Sequence, residues 1–243
     1  MRDYEKEFRA RVEWIRSRVQ SAHAKGIVFG NSGGKDSALV GILCKAACED
    51  TVGVIMPCAS RQNYGTDAAD GRALAEAFGI ETRTVDLTAT RASLVSAAGE
   101  AAELNSQALT NIAPRLRMTA LYSIAAAEGR LVAGTGNRSE IYMGYFTKWG
   151  DGASDFDPIA DLSATEVFAF LEYLGAPRQI IEKAPSAGLY EGQTDEKEMG
   201  VSYAEIDALM AGEEISPESR AIIDRYHASS EHKRRPVAVY GGD

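Results

Sequence analysis

Apolar residues recur at Phe8, Val12, Ile15 and Val19 with arginines and glutamates between them. That spacing predicts an amphipathic helix over Tyr4–His23. The pattern then changes period. Gly26 to Gly30 reads Gly-Ile-Val-Phe-Gly, a short unbroken apolar run suited to a buried strand. A glycine-rich turn follows, then a second apolar run at helical spacing to about Ala47. Thr51–Pro57 is another apolar strand, stopped by its proline. Asp67–Phe78 reads as an Ala/Leu-rich helix with Gly79 at its C-terminal cap. Glu81–Leu87 alternates, with Thr82, Thr84 and Val85 favouring extended structure. Thr88–Gln107 is helical and rich in Ala, Ser and Glu, and Pro114–Glu128 is a stronger helix. Arg130–Thr135 is a fourth strand.

Strands alternating with helices predict an α/β fold, an open, mostly parallel, doubly wound (Rossmann-like) sheet flanked by helices. Between Ile141 and Asp161 the periodicity disappears. A loop of that length inside a compact domain is usually functional or disordered. Its aromatics, Tyr142, Tyr145, Phe146, Trp149 and Phe156, argue against disorder. Helices are expected again at Ala164–Leu174, Pro177–Lys183, Ala204–Met210 and Ser216–Ser230. No repeat or linker divides the chain, so residues 1–243 read as one domain with the tail over the sheet's carboxyl edge.

Composition narrows the function. The chain has 243 residues, 45% hydrophobic and 25% charged, which is ordinary for a soluble globular protein. No apolar run reaches the roughly 20 residues of a membrane span, and the charged N-terminus is no signal peptide. A cytoplasmic protein is expected. A net charge of −9 argues against a general nucleic-acid binder. EHKRRP (Glu231–Pro236) is the one basic candidate patch, and the acidic net charge favours reading it as a solvated C-terminal surface. Cys44, Cys48 and Cys58 are too few and too oddly placed for a disulfide framework. Cys44 and Cys48 share a helix face, where small buried apolar residues suffice as a reading.

The chemistry concentrates at strand ends. GNSGGKDS (Gly30–Ser37) and GTGNRSE (Gly134–Glu140) both follow strands, where open parallel sheets bind ligands. A glycine turn lets main-chain N–H groups converge on an anion, and the next helix adds positive potential. Ser32 and Ser37 can donate to phosphate. Asp36 beside phosphate requires a cation, so a bridging Mg²⁺ is implied. The string fits neither the mononucleotide P-loop spacing nor GxGxxG.

It resembles the PP-loop of the ATP pyrophosphatases, which cleave ATP between the α and β phosphates. Within that superfamily, NIAPRLRM (Asn111–Met118), GTGNRSE, GYFTKWGDGASD (Gly144–Asp155), KAPSAGL (Lys183–Leu189), TDEKEMGVSY (Thr194–Tyr203) and EHKRRP are similar, in order, to elements of the ammonia-dependent NAD synthetases. The resemblance covers about residues 27–236. It implies a PP-loop type α/β fold and ATP-dependent amidation of deamido-NAD⁺ to NAD⁺, with AMP and pyrophosphate released. It also implies Mg²⁺, ATP as co-substrate, small-molecule partners only, and a homodimer with the nicotinate near the subunit boundary.

Carried over by position, Gly30, Asn31, Ser32, Gly33, Gly34, Lys35, Asp36 and Ser37 hold ATP phosphates, and Thr135 and Ser186 contact ATP. Asp36 and Glu140 hold Mg²⁺. Arg115, Lys148, Asp155, His232 and Lys233 contact deamido-NAD⁺. Asp151 binds or deprotonates ammonium, although a Gly-Asp-Gly turn needs its aspartate for local hydrogen bonds too. Glu140 reads alternatively as a helix cap, and Arg115 as a surface arginine.

Two departures stand out. Many family members carry a phosphate-contacting lysine where this chain has Ala164, and Lys35 occupies a PP-loop position that is usually uncharged. Lys35 is the expected substitute cation, with Lys183 a second candidate. Only about 25 residues precede the PP-loop, so no glutaminase domain is expected and free ammonia is the expected donor. The rival readings are another PP-loop enzyme, such as a tRNA thiolation enzyme, and a nucleotide-binding protein without turnover.

Overall fold

The computed structural model describes residues 2–58, 60, 63–183 and 194–241. Strand β1 (Gly26–Gly30) is apolar on both sides because both of its faces are covered. Ile27 and Phe29 point into one cluster with α1 (Tyr4–Ser21), α2 (Lys35–Ala47), α3 (Ala68–Phe78), α7 (Ala164–Leu174) and α8 (Arg178–Glu182). Val28 points the other way, joining Val52 and Val54 of β2 (Thr51–Ile55) against Met118, Leu121 and Ala125 of α5 (Ser106–Glu128). The period-2 alternation of a strand thus divides the molecule into two helical layers.

The sheet is all parallel, in the order β3-β2-β1-β4, with β3 at Glu81–Thr84 and β4 at Arg130–Ala133. Register is set by Ile27 opposite Thr51, Phe29 opposite Ala133, and Val52 opposite Glu81. The chain runs outward from β1 through β2 to β3. It then crosses back by α4 (Thr88–Ala101) and α5 to lay β4 on the other side of β1. The winding direction therefore reverses between β1 and β4. Such a switch point leaves a crevice beyond the strands' carboxyl ends.

Several boundaries differ from expectation. The ladders of β2 and β3 close at Ile55 and Thr84, short of Pro57 and Leu87. Their pairing nonetheless continues in Val85 N–H donating to Ile55 O and Leu87 N–H to Pro57 O, both 2.9 Å. The helix expected over Thr88–Gln107 ends at Ala101, and that expected from Pro114 begins at Ser106, capped by the Asn105 side chain. Pro114 lies inside α5 and packs closely on Gly150. The stretch without periodicity, from Ile141, opens on the last three residues of a short helix, α6 (Arg138–Met143). A single π turn at Asn63–Asp67 and α9 (Asp195–Met199) had no periodic signal.

The C-terminal elements α9, α10 (Tyr203–Met210), α11 (Pro217–Ser229) and α12 (Glu231–Arg234) complete the chain's order. Met199, Val201, Tyr203, Ile206 and Ile223 bury against Met143 of α6. That small core holds the tail over the carboxyl edge. Among the described residues, no helix is long and apolar enough to cross a membrane.

Candidate functional site at the switch point

The turn after β1 has a conformation only glycine suits. Gly33 has φ +72°, and a Cβ there would overlap the Asp67 carbonyl. Asn31 Nδ2 donates to the Gly71 carbonyl of α3 at 2.8 Å, tying the turn to its neighbour. Ser32 Oγ and Ser37 Oγ lie 3.0 Å apart, and Ser32 Oγ accepts from Gly34 N–H. The turn leads directly into α2, whose first turn carries Asp36.

Across the crevice, the turn after β4 is fixed by Asp157. Its carboxylate accepts from Gly136 N–H and Ile159 N–H, each at 3.0 Å. Asn137 then caps α6 in a reciprocal capping box. Its side chain accepts from Glu140 N–H, and Glu140 Oε2 accepts from Asn137 N–H at 3.1 Å. Glu140 is therefore a helix cap as well as an acid facing the crevice. Asn137 Nδ2 also donates to Asp36 Oδ1 at 3.0 Å, joining the two strand-end turns.

Gly30, Asn31, Ser32, Gly34, Lys35, Asp36, Ser37, Thr135, Glu140, Asp151, His232 and Lys233 all line one cavity of about 1260 Å³. A typical ligand pocket is about 300–1,000 Å³, so the space accommodates two nucleotide substrates. Gly33 stands just behind this lining, its carbonyl accepting from Lys183 Nζ at 3.4 Å. Ser186 lies outside the described residues.

Burial pushes the Asp36 carboxyl up to about 6, opposed by the Asn137 hydrogen bond and aided by the negative charge of Asp195. Burial and the facing Asp36 drive Glu140 well above the usual carboxylate range. Asp195 of α9 is buried and accepts from Tyr203 Oη at 3.2 Å. Hard carboxylate oxygens facing one cavity suit a small divalent cation. Asp36 and Glu140 are two such acids on the cavity wall, although among the described residues no group of three or more His, Cys, Asp or Glu gathers as a metal site.

Lys35 and Lys183 divide their tasks. Lys183 Nζ donates to Asp67 Oδ1 at 2.7 Å and Asp70 Oδ2 at 2.8 Å. Lys35 Nζ donates to the Lys183 carbonyl, and burial lowers its pKa. Ala164 lines the cavity without a polar side chain. Its N–H donates to Ser139 Oγ, which in turn donates to Asp207 of α10.

The aromatic loop closes one wall. Tyr145, Phe146 and Thr147 line the cavity. Asp151 Oδ1 accepts from Thr147 N–H at 3.0 Å while burial raises its pKa. Lys233 Nζ donates to the Gly144 and Phe146 carbonyls at 2.9 and 2.8 Å, strapping the loop to α12. The expected substrate contacts Arg115, Lys148 and Asp155 lie outside the cavity lining. Arg115 Nε donates to the Lys148 carbonyl at 3.3 Å, and Lys148 Nζ to the His232 carbonyl at 2.6 Å. Asp155 is occupied by Val132 N–H at 2.8 Å and Tyr122 Oη at 3.1 Å.

Sequence reasoning missed Asn137, Asp157, Asp195, Tyr203 and Asp207. Asn137 had a local signal, the Asn-x-x-Glu spacing of a capping box, and Asp195 and Tyr203 lie within the TDEKEMGVSY element, whereas Asp157 and Asp207 had none.

Residues 7–237 match the sequence profile of the NAD synthase family. The chain belongs to that family. Among relatives, the NH(3)-dependent NAD(+) synthetase of Carboxydothermus hydrogenoformans is 48% identical over 227 residues, covering 92% of each chain. That of Archaeoglobus fulgidus is 43% identical over 244 residues, covering 97% of each. Among solved structures, an NMN synthetase from Francisella tularensis superposes with a TM-score of 0.93 at 36% identity, covering 98% of this chain and 99% of that one. The NH3-dependent NAD synthetase of Campylobacter jejuni, in complex with nitrate, gives a TM-score of 0.80 at 27% identity, covering 98% and 99%.

Proposed function

We propose that this NAD synthase family member amidates deamido-NAD⁺ with ammonia, consuming ATP and releasing NAD⁺, AMP and pyrophosphate. One observation carries the reading: the Gly30–Ser37 turn, which itself carries Asp36, and the turn after β4 that carries Glu140 line a single cavity large enough for two nucleotides. A carboxylate resists attack by ammonia because its oxygen is a poor leaving group. Transfer of AMP to the nicotinate carboxylate provides a good one. The departing pyrophosphate meets the main-chain N–H groups of the glycine turn and the positive end of α2. Asp36 and Glu140 would hold Mg²⁺, which would supply neutralisation of phosphate charge. Asp151, which lines the cavity wall, would hold ammonium or accept its proton. The strapped aromatic loop excludes water, which would otherwise hydrolyse the acyl-adenylate.

The same reading includes a homodimer and a single domain over residues 1–243. Support for the dimer comes from α4, which buries none of its 14 residues within one chain. Its stripe Thr88, Arg91, Val95 and Ala98 is only half-buried against α5, so the helix gains little from packing within one chain. A second copy over the α4–α5 face would supply that cover, and sedimentation at assay concentrations would show it as a mass of two chains.

The test is a product balance. With ATP, Mg²⁺, deamido-NAD⁺ and ammonium, NAD⁺, AMP and pyrophosphate should accumulate in equal amounts. AMP without NAD⁺ would move the enzyme to another acceptor, as in the tRNA thiolation reading. Binding without turnover would leave a nucleotide-binding protein. A second reading is favoured by the close superposition on the Francisella tularensis NMN synthetase: the acceptor is the nicotinate mononucleotide and the product NMN. Replacing deamido-NAD⁺ with that mononucleotide in the same assay separates the two.

A further inference from the structure

Trp149 is badly chosen for folding. It is 61% exposed, so its ring contributes little to any core. Its φ is +66°, and among the described residues only His23 shares such a conformation without being glycine. A turn apex in that region ordinarily takes Gly, Asn or Asp, and a bulky side chain there is strained. The turn around it leaves no choice. Gly150 N–H and Gly152 N–H both donate to the Thr147 carbonyl, at 2.9 and 3.2 Å. Thr147 N–H is held by Asp151, and Thr147 Oγ1 donates to Asn111 Oδ1 of α5 at 2.9 Å. The indole is thus fixed at the apex and thrown outward. An outlier maintained by its surroundings is reason to look for a ligand.

What surrounds the ring has a defined chemistry. The Lys148 ammonium lies 5.5 Å from the ring centroid. The Arg115 side chain reaches the Lys148 carbonyl. The turn abuts the cavity, because Thr147, Asp151, Gly152 and Pro114 all line it. An exposed π face and two cations therefore sit on the rim of a cavity suited to nucleotides. That combination fits a base together with its phosphates.

We propose that Trp149 is a specificity-determining residue that stacks the adenine at the far end of a dinucleotide acceptor, with Lys148 and Arg115 beside the bridging phosphates. This rests on the amidation reading and deepens it. It selects deamido-NAD⁺ over nicotinate mononucleotide, which has no second base to place there.

The experiment uses the full chain with ATP, Mg²⁺ and ammonium, and either acceptor. Base–aromatic stacking of about 1–3 kcal/mol corresponds to about a 5- to 150-fold change in affinity. Trp149→Ala should raise the KM for deamido-NAD⁺ by that factor, with a much smaller change in kcat. The ratio of kcat/KM for dinucleotide over mononucleotide should fall accordingly. Trp149→Tyr, which keeps a ring, should restore most of both. A second readout avoids turnover. The chain has two tryptophans, so Trp14→Phe leaves Trp149 as the sole indole, and deamido-NAD⁺ should quench it while the mononucleotide should not. Equal KM increases for both acceptors, no change for either, or a Trp149→Ala protein whose sedimenting mass is halved would each overturn the proposal. If the wild-type chain amidates neither acceptor, the amidation reading fails, and the fluorescence titration still decides whether Trp149 meets the dinucleotide.

Discussion

Replacing Lys35 by methionine removes a charge from the phosphate cradle and little else. The side chain is partly buried, lines the cavity, and donates to the Lys183 main-chain carbonyl. No carboxylate among the described residues forms an ion pair with it. Lys183 beside it is committed to Asp67 and Asp70 at 2.7 and 2.8 Å. Lys35 is thus the lysine of the pair whose charge remains available to an incoming anion. Two unit charges 4 Å apart at an effective dielectric of 20 attract by about 4 kcal/mol, an upper bound that ignores desolvation. Hydrogen bonds to charged groups contribute about 1.5–3 kcal/mol net. That range corresponds to roughly 10- to 150-fold in affinity.

The KM for ATP should therefore rise by about one to two orders of magnitude in Lys35→Met. It is read from initial rates at saturating deamido-NAD⁺ and ammonium. Folding should suffer little, since only a bond to a carbonyl is lost, about 0.5–1.5 kcal/mol. Lys183→Met should behave oppositely. It removes the ion-pair partner that Lys183 gives two mostly buried carboxylates, a loss of up to about 3–5 kcal/mol, so its melting temperature should drop first. A folded Lys35→Met enzyme with an unchanged KM for ATP would refute the reasoning, and with it the idea that Lys35 stands in for the cation absent at Ala164.

Asp36→Asn and Glu140→Gln should each lower turnover by at least about 10²-fold, and near-normal rates in either would remove that residue from the metal site. The Asp36 pKa, raised to about 6 from its ordinary 3.8, means the folded protein holds a proton that the unfolded chain gives up. Stability without Mg²⁺ should therefore fall as pH rises from about 4 through 6. Asp36→Asn should melt above wild type at pH 8 and level with it near pH 4, and the reverse order would contradict burial as the cause. Arg11 donates to Asp161 at 2.6 and 2.8 Å and to Glu7 at 2.9 Å, joining α1 to the loop before α7. These contacts hold the Asp161 carboxyl below its ordinary range. Arg11→Met should lose about 2 kcal/mol at neutral pH. That gap should close as acid protonates Asp161 in the wild type, as urea titrations at pH 7 and pH 3 would measure.

How much of this was legible in the chain depends on where each residue's constraint originates. The strands were readable because burial on both faces leaves no room for polar residues: every position from Ile27 to Phe29 is inaccessible. The glycine turn was readable because Gly33 adopts a conformation closed to other residues. The start of α5 was misread because Pro114 usually opens a helix. Here it sits mid-helix, pressed against Gly150 of a loop far along the chain, and no local rule anticipates that contact.

The same distinction separates the charged groups. Asp36 and Glu140 announce themselves because the turn and the capping box around them are local motifs. Asp157, Asp195 and Asp207 are ordinary acids in polar segments, and each acquires its role from partners elsewhere. Asp157 holds the turn after β4, Asp195 adds negative charge to Asp36 and Glu140, and Asp207 braces the start of α7 through Ser139 and Thr165. Trp149 combines both cases. A glycine-and-aspartate loop marks its turn, yet only the folded chain shows that the turn forces an indole outward beside two cations. The residues that make the chemistry possible are therefore written into local backbone constraints. Those that tune or select for it are recruited across the fold, which is why substrate choice is decided at the rim of the cavity and phosphate capture at its base.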